Sequence, residues 1–106
     1  MNKIFFILIF NFFISLPTIA DSNKFTKGKS IFLGKGMCAG CHILKDAKSQ
    51  GNIGPNLNQL NLNFKIVTSA IEGGIGLMPA FGSTGILTAN EIELVTFYVL
   101  KSREKN

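Results

Sequence analysis

A chain of 106 residues with 46% hydrophobic content accommodates one domain and not two. Its formal charge of +5 comes from 11 Lys and Arg against 6 Asp and Glu. The cations are scattered, with no interleaved run of aromatics, which argues against nucleic-acid binding and leaves two readings: steering toward acidic protein partners, or simple solubility.

Residues 1–20 have the form of an export signal. Lys3 supplies a positive start, and residues 4–16 form an apolar run broken only by Asn11 and Ser15. Pro17, Thr18, Ile19 and Ala20 follow, with small Ala20 at the expected cut. An uncleaved anchor is the alternative. A spanning helix needs about 20 apolar residues, whereas this run is shorter and ends at a proline, so cleavage is expected and no stable membrane insertion after it. Residues 21–106 then form the mature domain, with ten Lys and Arg against six acids, about +4. So small a domain has difficulty burying enough apolar surface by itself.

Along the mature chain, residues 21–24 read as a polar lead-in. Residues 25–33 predict a short helix with Phe25, Gly28, Ile31 and Phe32 on shared faces, ended by Gly34 and Gly36. Residues 45–58 read as a loop, with Gly51, Gly54, Pro55 and several Asn and Gln. Asn61 or Asn63 is positioned to cap a second helix running to about Glu72. Its apolar stripe is Phe64, Val67 and Ile71, and Gly73-Gly74 is its stop. Residues 75–86 are again irregular. Thr88-Ala89-Asn90-Glu91 has the pattern of a capping box. A last helix follows to about Lys101, with Ile92, Val95, Phe97, Tyr98 and Val99 as its apolar surface, and Lys101, Arg103 and Lys105 where positive charge suits a helix end. No run alternates as a strand does. The expected fold is all-α, three main helices with loops wrapped around something central.

What lies at the centre is indicated by Cys38-Ala39-Gly40-Cys41-His42, which uses both cysteines and the one histidine. C-x-x-C-H is the attachment pattern of a c-type haem. Thiols three positions apart reach the two vinyl groups on one edge of the macrocycle and form thioethers. His42 then lies beneath the iron, where its imidazole can ligate. Three other readings compete. A thioredoxin-like redox pair wants a βαβ context, which is not visible. A structural zinc site takes four ligands, and the Cys and His set offers three. A disulfide across two residues would remove little chain entropy.

The sixth iron position needs a ligand, and no second histidine exists. Met37 is tied to the haem edge by its neighbour Cys38 and cannot easily reach the opposite face. Met78 lies far enough along the chain to descend on that face, within Gly76-Leu77-Met78-Pro79-Ala80-Phe81. Pro79 restricts Met78 to an extended backbone and stiffens the loop. Most methionines merely fill cores; behind an upstream C-x-x-C-H, ligation is the better reading.

The chain resembles the class I monohaem cytochromes c, in particular the small soluble bacterial, cyanobacterial and algal forms. The likeness rests on Cys38-Ala39-Gly40-Cys41-His42, Gly54-Pro55-Asn56-Leu57, Met78-Pro79-Ala80-Phe81 and Leu87-Thr88-Ala89-Asn90-Glu91-Ile92 leading to Tyr98-Val99, and it covers essentially all of residues 21–106. It implies the cytochrome c fold around one covalently attached haem c, held through Cys38 and Cys41 and ligated by His42 and Met78. It also implies that the Pro55 carbonyl meets the second ring nitrogen of His42, that Leu57 packs on the haem face, and that Gly28 and Tyr98 meet where the first and last helices cross. One departure is visible: the family commonly places a glycine eight residues before the first haem cysteine, and here Gly28 precedes Cys38 by ten, so the turn over residues 33–37 should be longer.

The function expected is one-electron transfer in the periplasm, without enzymatic activity. The donor would be a redox protein such as a quinol-oxidising complex or a dehydrogenase, and the acceptor a terminal oxidase or reductase. The alternatives are a haem c subunit docked permanently in a periplasmic dehydrogenase, an enzyme or gas sensor with an open sixth position, and a haem-free thiol or zinc module.

Overall fold

A computed structural model of the chain describes residues 19–104. The expected export signal, apart from its last two residues, lies outside the described residues, as does Lys105. Three helices dominate: α1 (Ile19–Leu33), α2 (Phe64–Gly73) and α3 (Ala89–Glu104). A single 3₁₀ turn at Cys38–Gly40 and a two-stranded antiparallel pair, β1 (Ile43–Leu44) with β2 (Ser49–Gln50), lie between α1 and α2. Among the described residues no helix is long and apolar enough to cross a membrane.

α1 and α3 cross, and the crossing organises the rest. An added Cβ on Gly28 would overlap the Leu94 carbonyl oxygen and lie 2.6 Å from the Tyr98 Cβ, so the two backbones approach only because residue 28 has no side chain. Tyr98 fills the angle between the helices. Its ring meets Phe25 edge-on at 4.9 Å and Phe32 at 5.6 Å, geometries that aromatic pairs prefer. Its hydroxyl donates to Asp46 at 2.8 Å, and Lys29 lies 3.2 Å from the same carboxylate oxygen. Burial first, then the neighbouring carboxylate, push the Tyr98 hydroxyl above its ordinary range, so it stays a proton donor. The core around this crossing comprises Phe32, Leu44, Val67, Ile71, Phe81, Leu87, Ile92, Val95, Tyr98 and Val99.

Each helix end has a local cause. The Asn63 side chain accepts from the Ile66 amide at 2.9 Å, which decides between Asn61 and Asn63 as the α2 cap. At α3 the Thr88 amide donates to the Glu91 carboxylate at 2.9 Å, and the Glu91 amide donates to the Thr88 hydroxyl at 3.2 Å, closing the capping box. Lys35 adds an ion pair to Glu91 at 2.9 Å. This pair anchors the turn after α1, in which Gly36 donates to the Ile31 carbonyl at 2.8 Å and Met37 to the Gly34 carbonyl at 2.9 Å.

Four details differ from the sequence reading. α1 already includes residues 19–24 ahead of Phe25: they contain no breaker, and a formed helix extends at little cost. α3 continues to Glu104, where the buried Ser102 and half-buried Arg103 still pack. Phe64 is 53% exposed instead of sharing the buried stripe of Val67 and Ile71; it opens the first turn of α2. Finally, residues 45–58 include strand β2, a short pairing in which the Leu44 amide donates to the Ser49 hydroxyl at 3.0 Å.

Gly28→Ala should cost about 1–3 kcal/mol of stability through overpacking, read as a lower denaturant midpoint of the holo-protein with the haem spectrum retained. The Thr88 amide and then the Lys35 ammonium hold the Glu91 carboxyl below the usual glutamate value. A depressed folded value contributes stability above the unfolded value, near about 4.3, which is lost as pH falls through the folded one. Glu91→Gln should therefore be less stable than wild type at neutral pH, with the difference shrinking below about pH 4; a difference that stays constant with pH would contradict this cap.

Candidate functional site

The 3₁₀ turn carries the two thiols. Met37 precedes it in the left-handed region at φ 53°, and the Cys41 and His42 amides both donate to the Cys38 carbonyl, at 3.1 and 2.9 Å. This compact turn brings Cys38 and Cys41 onto one stretch of surface. Both are free thiols. Burial, and secondarily the neighbouring Cys41, push the Cys38 thiol up to about 11. A thiol so raised is protonated at neutral pH, the reverse of the lowered value that makes a redox-active C-x-x-C reactive.

The Gly-Pro-Asn-Leu loop is laid against the histidine segment by two backbone bonds, Gly54 amide to Cys41 carbonyl at 2.7 Å and Leu57 amide to Ile43 carbonyl at 3.0 Å. Asn58 finishes the join: its side chain accepts from the Lys45 amide at 2.8 Å, and its own amide donates to the Asn56 side chain at 2.9 Å. Between these fastenings the Pro55 carbonyl lies 2.7 Å from His42 Nδ1. A carbonyl only accepts, so Nδ1 carries the proton, and in the neutral ring the lone pair is then on Nε2. The imidazole is also wedged from the side. A Cβ on Gly54 would lie 2.5 Å from His42 Cε1 and 2.8 Å from Nδ1, so glycine is what lets the ring sit there.

Met78 comes from the segment after α2. Gly74, at φ 73°, turns the chain out of the helix, and a Cβ there would lie 2.6 Å from the Met78 carbonyl oxygen. The Met78 amide donates to the Ile75 carbonyl at 2.8 Å. Further along, Gly82 and Ser83 donate backbone amides to Ile71 and Glu72, at 3.3 and 3.0 Å, and the Ser83 hydroxyl also donates to Glu72 at 3.1 Å. The loop carrying Met78 is thus closed on itself before the methionine and stitched back to the C-terminal end of α2 after it.

These parts enclose a cavity of about 380 Å³, within the range of about 300–1,000 Å³ typical of cofactor and ligand sites. Cys38, Cys41, His42, Pro55, Leu57 and Met78 all line it, so the six residues singled out in the sequence come together. Its walls also include Phe32 from α1, Val67 and Ile71 from α2, Val95 and Val99 from α3, and Phe81. The site fits a haem on the chemistry of its donors: two thiols, an imidazole with an oriented lone pair, a thioether, and apolar walls without a carboxylate or ammonium. A zinc centre has no such support. Among the described residues no three Cys, His, Asp or Glu side chains gather as a metal cluster.

Sequence reasoning missed two contributors. Gly54 was read as a loop breaker, and only its contact with the His42 ring gives it a place in the site. Gly74 was read as a helix stop, while its lack of a side chain also admits the Met78 backbone.

Comparison with known proteins agrees with this site. The family described as cytochrome C oxidase, cbb3-type, subunit III matches residues 23–99. Cytochrome c6 from Microcystis aeruginosa is 36% identical over 84 residues, covering 74% of this chain and 96% of that protein. The crystal structure of the c-type cytochrome SorU from Sinorhizobium meliloti superposes with a TM-score of 0.69 at 43% identity, covering 76% of this chain and 91% of that one. With the three-helix fold, the paired thiols and the oriented histidine in one cavity, these matches place the chain among the small monohaem class I cytochromes c, haem c electron carriers rather than enzymes.

Proposed function

We propose that Cys38 and Cys41 hold the haem as thioethers, that His42 and Met78 are its axial ligands, and that the protein shuttles single electrons between periplasmic redox proteins after export. The observation that carries this reading is the 2.7 Å bond from His42 Nδ1 to the Pro55 carbonyl, inside a cavity that Met78 also lines. When bound, haem supplies the Fe(III)/Fe(II) couple. The rest is work for the chain. Pro55 holds the imidazole in one tautomer and one orientation in both redox states, so little reorganises on electron exchange. The local bond from the Met78 amide and the fastening of its loop to α2 do the same for a weak thioether donor. Apolar walls disfavour the more charged oxidised state and so raise the potential, in the same direction as methionine ligation. The pattern of residues 1–20 supports export, and outside the cytoplasm the donors and acceptors would be a quinol-oxidising complex or dehydrogenase and a terminal oxidase or reductase.

Met78→Ala should open the sixth position. The variant should bind carbon monoxide in its reduced state, and its potential should fall by on the order of 0.1 V; a variant that does neither contradicts ligation by Met78. The double substitution Cys38→Ala with Cys41→Ala should leave no haem on the polypeptide after denaturing acid extraction, while wild type keeps it. Haem retained by the double variant would refute the thioether assignment.

A further inference from the structure

The hairpin of β1 and β2 leaves directly from His42, and the parts around the histidine are fastened to it. The Ile43 carbonyl accepts from the Leu57 amide at 3.0 Å, and the Lys45 amide donates to the Asn58 side chain at 2.8 Å, so the Gly-Pro-Asn-Leu loop hangs on this hairpin. An added Cβ on Gly51, just past β2, would lie 2.6 Å from the Cys41 nitrogen, so the returning chain rests against the turn that carries the thiols. Yet the hairpin pairs only Ile43 with Gln50 and Leu44 with Ser49, and so short a pairing has little stability of its own. Its position has to be set from outside.

Asp46, in the turn between the two strands, is where that happens. Its side chain is 18% exposed and stands outside the cavity, whose lining includes neither Asp46 nor Lys29 nor Tyr98. One carboxylate oxygen accepts from the Tyr98 hydroxyl at 2.8 Å and lies 3.2 Å from Lys29, so α1 and α3 both hold it. Tyr98 is fully buried, and a buried hydroxyl requires an acceptor. For stability alone an apolar pair of the same shape would serve as well. A hydroxyl and a carboxylate add direction: they join in one arrangement, where apolar surfaces slide. Resting on the reading of His42 as an axial ligand, we propose that Asp46 is a positioning residue for the His42–Pro55 bond, held in place by Tyr98. The bond passes the rigidity of the α1 and α3 crossing to the hairpin, and through Ile43 and Lys45 to the loop whose Pro55 carbonyl meets Nδ1. Without it the hairpin shifts, the Pro55 carbonyl follows through Leu57, and the imidazole becomes a weaker electron donor.

The test compares haem-loaded wild type with Tyr98→Phe, Asp46→Ala, Asp46→Asn and Lys29→Gln. The His42 Nδ1 proton is followed by NMR in the reduced state, and the midpoint potential is measured for wild type and Tyr98→Phe. The resonance position and the potential belong to the folded protein, so a loss of stability alone leaves them unmoved. Tyr98→Phe removes the bond and no charge. Its ring proton should move upfield and exchange with solvent about ten-fold faster, the factor expected for one lost hydrogen bond, and its potential should rise as the imidazole stabilises the oxidised state less. Asp46→Ala should displace the ring proton in the same way. Asp46→Asn keeps an acceptor for the Tyr98 hydroxyl, and Lys29→Gln leaves that bond in place, so both should hold the wild-type resonance and exchange within about two-fold of the wild-type rate. An unmoved ring proton and potential in Tyr98→Phe, with only the unfolding midpoint lowered, would overturn the proposal. So would an Asp46→Asn variant displaced as far as Asp46→Ala. Wild type alone tests the underlying reading: a chain without haem, or a His42 ring lacking the ring-current shifts of an axial ligand, would overturn that reading and the proposal with it.

Discussion

The bond between His42 Nδ1 and the Pro55 carbonyl is the constraint on which the site depends. It exists because two backbone bonds, Gly54 to Cys41 and Leu57 to Ile43, lay one loop along the other. It fixes which nitrogen of the ring faces the cavity side without a backbone partner of its own, the one proposed as ligand. Everything else in the cavity is arranged relative to that nitrogen: two thiols in one compact turn before it, and a methionine delivered by a loop that leaves α2 and is fastened back onto it.

The same arrangement accounts for how so small a domain holds together. α1 and α3 meet tightly through Gly28 and Tyr98, and their inward faces, with α2, line the cavity through Phe32, Val67, Ile71, Val95 and Val99. These walls belong at once to the core and to the site. A domain of this length gains little from its own apolar surface, so a large apolar group at the centre contributes to stability as well as to chemistry. Packing and electron transfer thereby make the same demand, an immobile apolar lining with few oriented polar atoms.

Much of this was legible in the residues. Asn63 and the Thr88–Glu91 pair announced helix starts because a capping side chain acts within its own turn. C-x-x-C-H pointed to the family, and the residues expected around it, Met78 included, do line one cavity, because covalent and ligand geometry limits which residues serve. The long-range partners were not legible. Asp46 accepts from Tyr98 and pairs with Lys29, and Lys35 pairs with Glu91, across separations that no local pattern reports. The start of α1 was missed for a different reason: polar residues 21–24 carry no apolar stripe, yet extend a helix that is nucleated further on.

The central claim is that a porphyrin iron sits between the His42 imidazole and the Met78 thioether, tethered through Cys38 and Cys41. The most direct measurement is the optical spectrum of the protein matured in cells able to attach haem, recorded oxidised and reduced. The account predicts a low-spin c-type spectrum, sharpened on reduction, with the weak red band of sulfur on ferric iron present only in the oxidised form. A colourless protein, or a haem spectrum lacking that band at neutral pH, would contradict it.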